Sequence, residues 1–277
     1  MAKQPLFVAC PRVPAPSSTA RPAERRNSGW LSDPQAREML RRMFCRYALR
    51  TTDVDAARRF YSEAIGLTLP AEGRSEASRL EAWPLHERAI ANGAPPHWLG
   101  QLAVDDVDAS LGRLVELGAE RLGPALRTPD GAHYATLRDP FGAVVAVRAG
   151  ALDPADERVA WHQLHTRDAE RSWAMYSELF GWVHTETLPL ADPVGGHQLF
   201  AWRQGGESIG SVGNTARWPG VHCHWLFYLA VPDVDAAVVR VRELGGTAMN
   251  PIALAGGTYL SACEDPQGAA FGLIRRP

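Results

Sequence analysis

The sequence predicts an α+β protein of two tandem domains, and two repeats and a repeated turn support this prediction. Residues 97–118 recur at 224–245, with 14 of 22 aligned positions identical. Residues 51–66 recur at 166–181, sharing Thr, Asp, Tyr, Ser, Glu and Gly at matching places. An Asp-Pro-x-Gly-Ala turn follows in each half, at 139–143 and 265–269. The chain is therefore a duplication, in which each half contains the same strand-to-helix unit twice.

Each repeat has the pattern of a strand followed by a capped helix. In 97–118, an apolar run of strand length precedes Asp106, and the residues after it are apolar at helical spacing until Gly118. Asp is a favoured N-cap and Gly a favoured helix stop, so the pattern predicts where each helix begins and ends. Asp53, Asp168 and Asp233 stand at the corresponding place in the other three units.

Composition limits the classes of partner. A length of 277 residues with 45% hydrophobic residues suffices for two cores, and the formal net charge of −2 gives no basic surface for nucleic acid or anionic membranes. No apolar run reaches membrane-spanning length. The four cysteines lack metal-type spacing and are interpreted as reduced thiols in a cytoplasmic protein. We expect a small-molecule ligand, no nucleic acid and no membrane partner, and a homodimer remains open.

The expected boundaries are 1–40 for a tail with a short helix, 41–150 for the first domain and 151–277 for the second. The first residues are rich in Pro, Ala, Ser and Arg, which predicts disorder, with a targeting peptide or a start codon assigned too early as alternatives. Ser32-Asp33-Pro34 predicts a helix that continues to about Met43.

The four units resemble the vicinal oxygen chelate superfamily, which contains glyoxalase I, bleomycin-resistance proteins and extradiol dioxygenases. In detail they resemble its tandem two-domain glyoxalase-like proteins of actinobacterial type. The resemblance is carried by the two Val-Asp-Ala helix starts, the two Asp-Pro-x-Gly turns and Asp53, Tyr61, Gly66, Asp168, Tyr176 and Gly181. It implies two βαβββ modules per domain, folded into a curved sheet around a cavity.

The resemblance also implies four metal-ligand positions in each domain. In this sequence they are Arg46, Glu81, Leu99 and Ala146 in the first domain, and Trp161, a residue near Gly210, Leu226 and Gly272 in the second. Only Glu81 has a side chain that binds divalent metals, and such sites need about three convergent ligands. We therefore expect no metal at these positions and no cofactor.

Strand alternation predicts which side chains share the cavity face with those positions. The predicted ligand-binding residues on this face are Arg46, Arg50, Glu81, Gln101, Trp161, Gln163, His165, His224 and Tyr228, accompanied by Ala48, Arg79, Trp83, Leu99 and Leu226. An ion pair between Arg46 and Glu81 is the favoured interpretation. In the alternative, Arg46 and Arg50 bind an anionic ligand while Glu81 acts as a base.

The histidines of the second half suggest a second alternative. His165, His222 and His224 could form a displaced metal site, although His165 is four residues, about 13 Å along a strand, from the ligand position. His162, Trp98 and Trp225 have the opposite strand parity and are expected to pack away from the cavity.

The leading functional hypothesis is metal-independent binding of a small aromatic or anionic molecule in the domain cavities. The alternative is a lyase, isomerase or dioxygenase, metal-free or with displaced histidines, in which Glu81 or His165 would be the catalytic residue. A structural or regulatory protein with filled cavities is a third class. The sequence leaves open whether the protein is an enzyme, because one fold serves many functions.

Overall fold

The computed structural model describes residues 43–70, 79–128, 131–150, 158–189, 194–254 and 257–277. The tail expected at 1–40 and nearly all of the helix expected at 32–43 lie outside these residues. The described residues form a seven-stranded sheet in the first half of the chain and a nine-stranded sheet in the second. The predicted α+β duplication is therefore observed as two mixed sheets in tandem.

The first sheet has the strand order β2-β1-β3-β7-β6-β4, and β5 also pairs with β6. Its strands are β1 (Phe44–Thr51), β2 (Leu80–Pro84), β3 (His97–Ala103), β4 (Glu120–Arg121), β5 (Leu126–Arg127), β6 (His133–Arg138) and β7 (Val144–Ala149). The accompanying helices are α1 (Val54–Ile65), α2 (Glu87–Ala91) and α3 (Val107–Glu116).

The second sheet has the order β13-β15-β16-β12-β8-β11-β10-β9, and β14 also pairs with β15. Its strands are β8 (Val159–His165), β9 (Val183–Pro189), β10 (Gly196–Ala201), β11 (Gly210–Gly213), β12 (His224–Ala230), β13 (Thr247–Ala248), β14 (Ile252–Ala253), β15 (Tyr259–Glu264) and β16 (Ala270–Arg275). Its helices are α4 (Ala169–Phe180), α5 (Val234–Glu243) and a 3-10 turn, Asn214–Arg217.

The helix starts follow the predicted capping chemistry. The side chains of Asp53, Asp106, Asp168 and Asp233 each accept a hydrogen bond from the backbone N–H three residues later, at 2.9 to 3.1 Å. α1 and α4 end at glycines in the left-handed region, each with φ of 63°. These caps orient each helix on the strand before it, which places the four units in matching positions.

One apolar core joins the two halves. Buried residues of α1, α3, α4 and α5 and of one face of each sheet form a single cluster, which includes Phe44, Phe60, Trp98, Trp225 and Phe271. The rings of Phe44 and Phe227 meet edge to face across the two sheets, with centroids 5.3 Å apart. We call the opposite face of each sheet, which points away from this shared core, its distal face.

The three cysteines in the described part of the chain are free thiols. None of the helices described there has the length and apolar character that a membrane crossing requires.

Candidate functional site

The distal face of the first sheet is built around a buried ion pair. Nη1 of Arg46 on β1 lies 2.5 Å from Oε1 of Glu81 on β2, and both side chains are almost fully buried. The other carboxylate oxygen of Glu81 accepts a hydrogen bond of 2.7 Å from Nε1 of Trp83. The favoured sequence prediction of this pair is confirmed. Both oxygens of Glu81 are bound to donors of the protein itself, which does not suit a general base.

The remaining first-domain residues of the prediction lie in the same region. The guanidinium of Arg50 stacks on the Trp83 ring at 4.9 Å from its centroid, and Gln101 is fully buried. Oε1 of Gln101 accepts a bond of 3.4 Å from Arg148, a buried residue that the prediction missed. Arg148 stands two residues after Ala146 on β7, so strand alternation could have identified it.

The four family positions in the first sheet do not fit a metal ion. A guanidinium occupies the first, and its charge faces the only carboxylate of the set. Leu99 and Ala146 are fully buried and pack in a small apolar cluster with Ala48, Trp83 and Tyr134. A permanent cation and two hydrocarbon side chains offer no ligand for a divalent ion.

The distal face of the second sheet is aromatic and apolar at the family positions. Trp161 on β8, which is half-buried, packs with Leu226, Tyr228 and Ile274. Pairing places Trp161 beside Tyr228, and the Tyr228 ring lies over the bare backbone of Gly272 on the next strand. None of these positions supplies a metal ligand, so the second sheet does not fit the family's metal either.

Gln163 and Tyr228 are linked on this face. The Tyr228 hydroxyl donates to Oε1 of Gln163 at 2.8 Å, and both side chains are buried. Burial, with a smaller contribution from Cys263, raises the pKa of Tyr228 above its usual value. The hydroxyl therefore stays protonated at neutral pH and acts as a hydrogen-bond donor.

His165 and His224 stand at the other end of the same face. Their rings stack with centroids 4.6 Å apart and an interplanar angle of 18°. Nδ1 of His165 lies 2.5 Å from the Thr215 hydroxyl, and Nδ1 of His224 donates to the His222 carbonyl at 2.9 Å. Burial, and then the neighbouring His224 and His197, hold the pKa of His165 well below its usual value.

The displaced metal site considered from the sequence is not assembled. His224 bonds to the backbone carbonyl of His222 and not to its imidazole. Within the ranges that the structure describes, no three His, Cys, Asp or Glu side chains are arranged to hold a metal ion.

The residues expected to point away from the cavity do so. His162 accepts a bond of 2.6 Å from the Tyr47 hydroxyl, because its Nδ1 hydrogen is donated to the Ile209 carbonyl. Burial lowers the pKa of His162 to about 4. Trp98 and Trp225 lie in the shared core, where they donate to the hydroxyls of Tyr61 and Tyr176.

His197 is a residue of the distal face that the prediction missed. It is buried on β10, and its ring lies against the backbone of Gly213 on β11. Burial lowers its pKa to about 4. Its alternation with Leu199 on β10 is visible in the sequence, but its neighbours depend on how β9, β10 and β11 pair.

Two open cavities lie outside the distal faces. One of about 370 Å³ borders the start of α4, between Ala169, Gly196, Asn214 and Arg217. The other, of about 440 Å³, lies along α1 beside Arg58 and Leu69. Neither is lined by a predicted site residue. On the distal face of the second sheet, Trp161 and His224 are half-buried and lie at opposite ends of the paired strands β8 and β12.

The family described as "Glyoxalase-like domain" matches residues 46–148 and 161–274, that is, most of both halves. The chain belongs to the glyoxalase-like domain family. Both matches coincide with the two sheets, so the predicted vicinal oxygen chelate fold, with two glyoxalase-like domains in tandem, is confirmed.

Two relatives of this glyoxalase-like chain have informative names. "Putative glyoxylase CFP32" of Mycobacterium tuberculosis is 28% identical over 247 residues, which cover 82% of the chain and 92% of the relative. "Anthracycline biosynthesis protein DnrV" of Streptomyces peucetius is 28% identical over 191 residues, which cover 66% of the chain and 67% of the relative.

A solved structure supports the fold. The Mn(II)-bound glyoxalase from Novosphingobium aromaticivorans superposes with a TM-score of 0.53 at 18% identity, covering 82% of this chain and 79% of that one. At this identity the likeness concerns the fold alone. The glyoxalase-like scaffold is thus shared with a manganese protein, whereas the family's ligand positions here hold an ion-paired glutamate and arginine, a tryptophan, aliphatic residues and glycine.

Proposed function

We propose that this protein binds a small aromatic molecule, without a metal ion, on the distal face of its second domain. The observation that carries the proposal is Trp161, a half-buried indole at a family ligand position, packed beside Leu226 and Tyr228. An indole at this position cannot coordinate a metal ion, but it can stack on the ring of an aromatic ligand. An anion is less well suited to the histidine end of this face, because His165 and His197 are held neutral there, whereas at the other end the Arg276 guanidinium lies 5.2 Å from the centroid of the Trp161 ring.

The relatives support an aromatic ligand. DnrV is named for anthracycline biosynthesis, and anthracyclines contain a polycyclic aromatic ring system. The Trp161 end of the distal face offers the aromatic and apolar surface that such rings bind.

The first domain is less suited to the anionic ligand considered from the sequence. Arg46 is already paired with Glu81 in a buried contact, and Arg50 is stacked on Trp83. Releasing Arg46 would leave Glu81 as a buried charge without its ion-pair partner, at a cost of about 3–5 kcal/mol. We therefore assign binding to the second domain and a structural role to the Arg46–Glu81 pair.

The test is a titration of the purified full chain with a dihydroxyanthraquinone, followed by its absorbance, together with elemental analysis for bound metal. We expect binding by metal-free protein and about tenfold weaker binding by Trp161→Leu, since one aromatic contact contributes about 1.4 kcal/mol. Trp173→Leu is the matched control, because Trp173 is also half-buried but lies on α4 against Phe200.

Binding that needs a stoichiometric metal ion would refute metal independence. Equal affinities of the Trp161→Leu variant and the original protein would refute the location of the site.

A second candidate is a metal-free lyase or isomerase that uses His165 as a base. It is favoured by the buried Nε2 of His165, which has no hydrogen-bond partner among the described residues. In this case turnover is abolished by His165→Ala and unchanged by Glu81→Gln in folded protein. Loss of turnover in the Glu81 variant alone would instead indicate chemistry in the first domain.

A further inference from the structure

Histidines form a row across four neighbouring strands of the second sheet. Strand pairing sets His224 on β12 opposite His165 on β8, and His165 opposite Gly213 on β11. His197 on β10 completes the row, because its neighbour Gln198 pairs with Val212. Cross-strand partners point to the same side of a sheet, so all three imidazoles lie on the distal face.

Gly213 lies between His165 and His197 in this row and allows their imidazoles to approach one another. A Cβ at Gly213 would collide with Cδ2 and Nε2 of His197, so the ring occupies the space above the glycine. This leans the Nε2 edge of His197 over β11, towards His165 on the next strand. The neighbouring His197 is one of the groups that lower the pKa of His165.

The Nε2 atoms of both residues are buried without a hydrogen-bond partner in the described part of the chain. Leaving a buried polar atom unpaired is unfavourable, and such atoms call for an explanation in a folded protein. Two of them side by side on one face indicate that a partner from outside the chain completes the site.

The chemistry of that partner follows from charge. No carboxylate contributes to the pKa shift of either His165 or His197, and burial holds both imidazoles neutral at pH 7. A carboxylate ligand would therefore meet no positive charge from these two histidines. A neutral imidazole nitrogen is a donor in one tautomer and an acceptor in the other, and a hydroxyl group satisfies both because it donates and accepts.

A metal ion does not fit the row. The lone pairs of imidazole nitrogens lie in the ring plane, and the rings of His165 and His224 are stacked almost in parallel. Their lone pairs do not converge on one point, so at most two histidines could bind a shared ion. Zinc and its neighbours take three or four protein ligands.

We propose that His165 and His197 form a hydroxyl-recognition site, which binds the phenolic hydroxyl groups of an aromatic ligand whose rings contact the Trp161 end of the same face. This inference rests on the proposed function and adds the ligand class. The two ends of the face are about 13 Å apart, because Trp161 and His165 are four residues from each other on the extended strand β8. A multi-ring aromatic molecule spans such a length.

The test compares a dihydroxyanthraquinone with its dimethoxy derivative, which keeps the rings but cannot donate a hydrogen bond. The original protein should bind the dihydroxy compound between about tenfold and a hundredfold more tightly, which corresponds to about 1.4–2.8 kcal/mol for two hydrogen bonds. The His165→Leu/His197→Leu double variant should bind both compounds equally. His184→Leu is the control, because His184 is exposed on β9 and should leave the preference intact.

Two further measurements keep the result interpretable. Unchanged affinity of the double variant for the dimethoxy compound shows that its fold and aromatic surface persist. His197→Gln places an amide nitrogen near the position of Nε2, so it should retain part of the preference that His197→Leu loses.

A hydroxyl preference that survives in the double variant overturns the inference. So does stoichiometric Zn²⁺ binding that His197→Leu abolishes, which would establish a metal site instead. If both compounds bind the original protein equally, this inference fails while the proposed function stands. If neither binds, both fail.

Discussion

Arg46 determines what the first distal face can do, because a permanent cation stands where the family places a metal ligand. The pair that it forms with Glu81 is nearly inaccessible to water. Removing one member of a buried ion pair leaves the other as an uncompensated charge. The pair is therefore expected to matter more for folding than for binding.

We predict that Arg46→Met and Glu81→Leu each lower the free energy of unfolding by about 3–5 kcal/mol. The double variant should lie within about 1 kcal/mol of the original protein, since two apolar side chains replace two charges of similar volume. Urea unfolding of the four proteins measures the coupling. As a control, Arg113→Met breaks contacts with Glu116 and Glu178 in which all three side chains are exposed, and should cost less than about 1 kcal/mol.

Additive losses in the double variant would show that Arg46 and Glu81 act independently, contrary to this interpretation.

At the scale of residues, alternation along a strand predicted on which face of the sheet a side chain lies, but not which side chains of other strands lie beside it. It placed Arg46, Glu81, Trp161, Gln163 and Tyr228 on the distal faces, and the contacts within each set agree. It could not identify His197 as a neighbour of His165, because that depends on the pairing of β10 and β11 across a hairpin.

At the scale of elements, two glycines have opposite effects on stability. On β3, a Cβ at Gly100 would lie 2.5 Å from Cζ of Phe227 and 2.6 Å from Cε1 of Phe44, so this strand approaches the other sheet closely. Gly112 lies inside α3, where a Cβ would meet no atom within 4 Å. The first glycine is required by packing, and the second only lowers helix propensity.

We predict that Gly100→Ala lowers the free energy of unfolding by about 1–3 kcal/mol, because two aromatic rings must move to admit a methyl group. Gly112→Ala should raise it by about 0.5–1 kcal/mol, through lower entropy of the unfolded chain and better helix propensity. Denaturant midpoints of the two variants provide the comparison. A stable Gly100→Ala variant would mean that the sheets are packed less closely than the structure shows.

The elements of the repeats were largely predictable, because α1, α3, α4 and α5 are each defined locally by a capping Asp and a Gly at or just after the helix end. The region between Trp182 and Cys223 was not. There the second domain forms β9, β10 and β11, whereas the described part of the first domain between its corresponding units forms β2 and α2. The repeat alignment shows only that the two domains have different numbers of residues between their repeat units in this region. It does not predict the strands themselves, because the registers of short strands depend on tertiary contacts.

At the scale of the whole molecule, the two domains are joined by two equivalent hydrogen bonds, one from a tyrosine of each domain to an aspartate of the other. Tyr61 on α1 donates to Oδ2 of Asp265 in the second domain at 3.4 Å, and Tyr176 on α4 donates to Oδ2 of Asp139 in the first at 2.9 Å. In each aspartate, Oδ1 accepts two backbone N–H groups of its own Asp-Pro-x-Gly turn. The repeat identified these residues, but nothing local in the sequence indicates that they pair across domains.

Burial, followed by the charge of the facing aspartate, raises the pKa of both tyrosines well above its usual value. The hydroxyls therefore remain protonated donors at neutral pH. Each also accepts from a tryptophan, Trp98 at 2.9 Å in one case and Trp225 at 3.3 Å in the other. Each tyrosine hydroxyl thus links its own sheet to the turn of the opposite domain, so the domains should unfold together.

We predict that Tyr61→Phe and Tyr176→Phe each lower the free energy of unfolding by about 1–3 kcal/mol, because both the aspartate oxygen and the indole N–H lose a buried partner. Unfolding should remain a single transition when it is followed by tryptophan fluorescence and by circular dichroism. Tyr259→Phe is the control, since the Tyr259 hydroxyl makes no hydrogen bond within the described ranges, and it should change stability by less than about 0.5 kcal/mol. Two separate transitions in the original protein would contradict a shared core, whereas two transitions only in the double Tyr61→Phe/Tyr176→Phe variant would show that these bonds are what couples the domains.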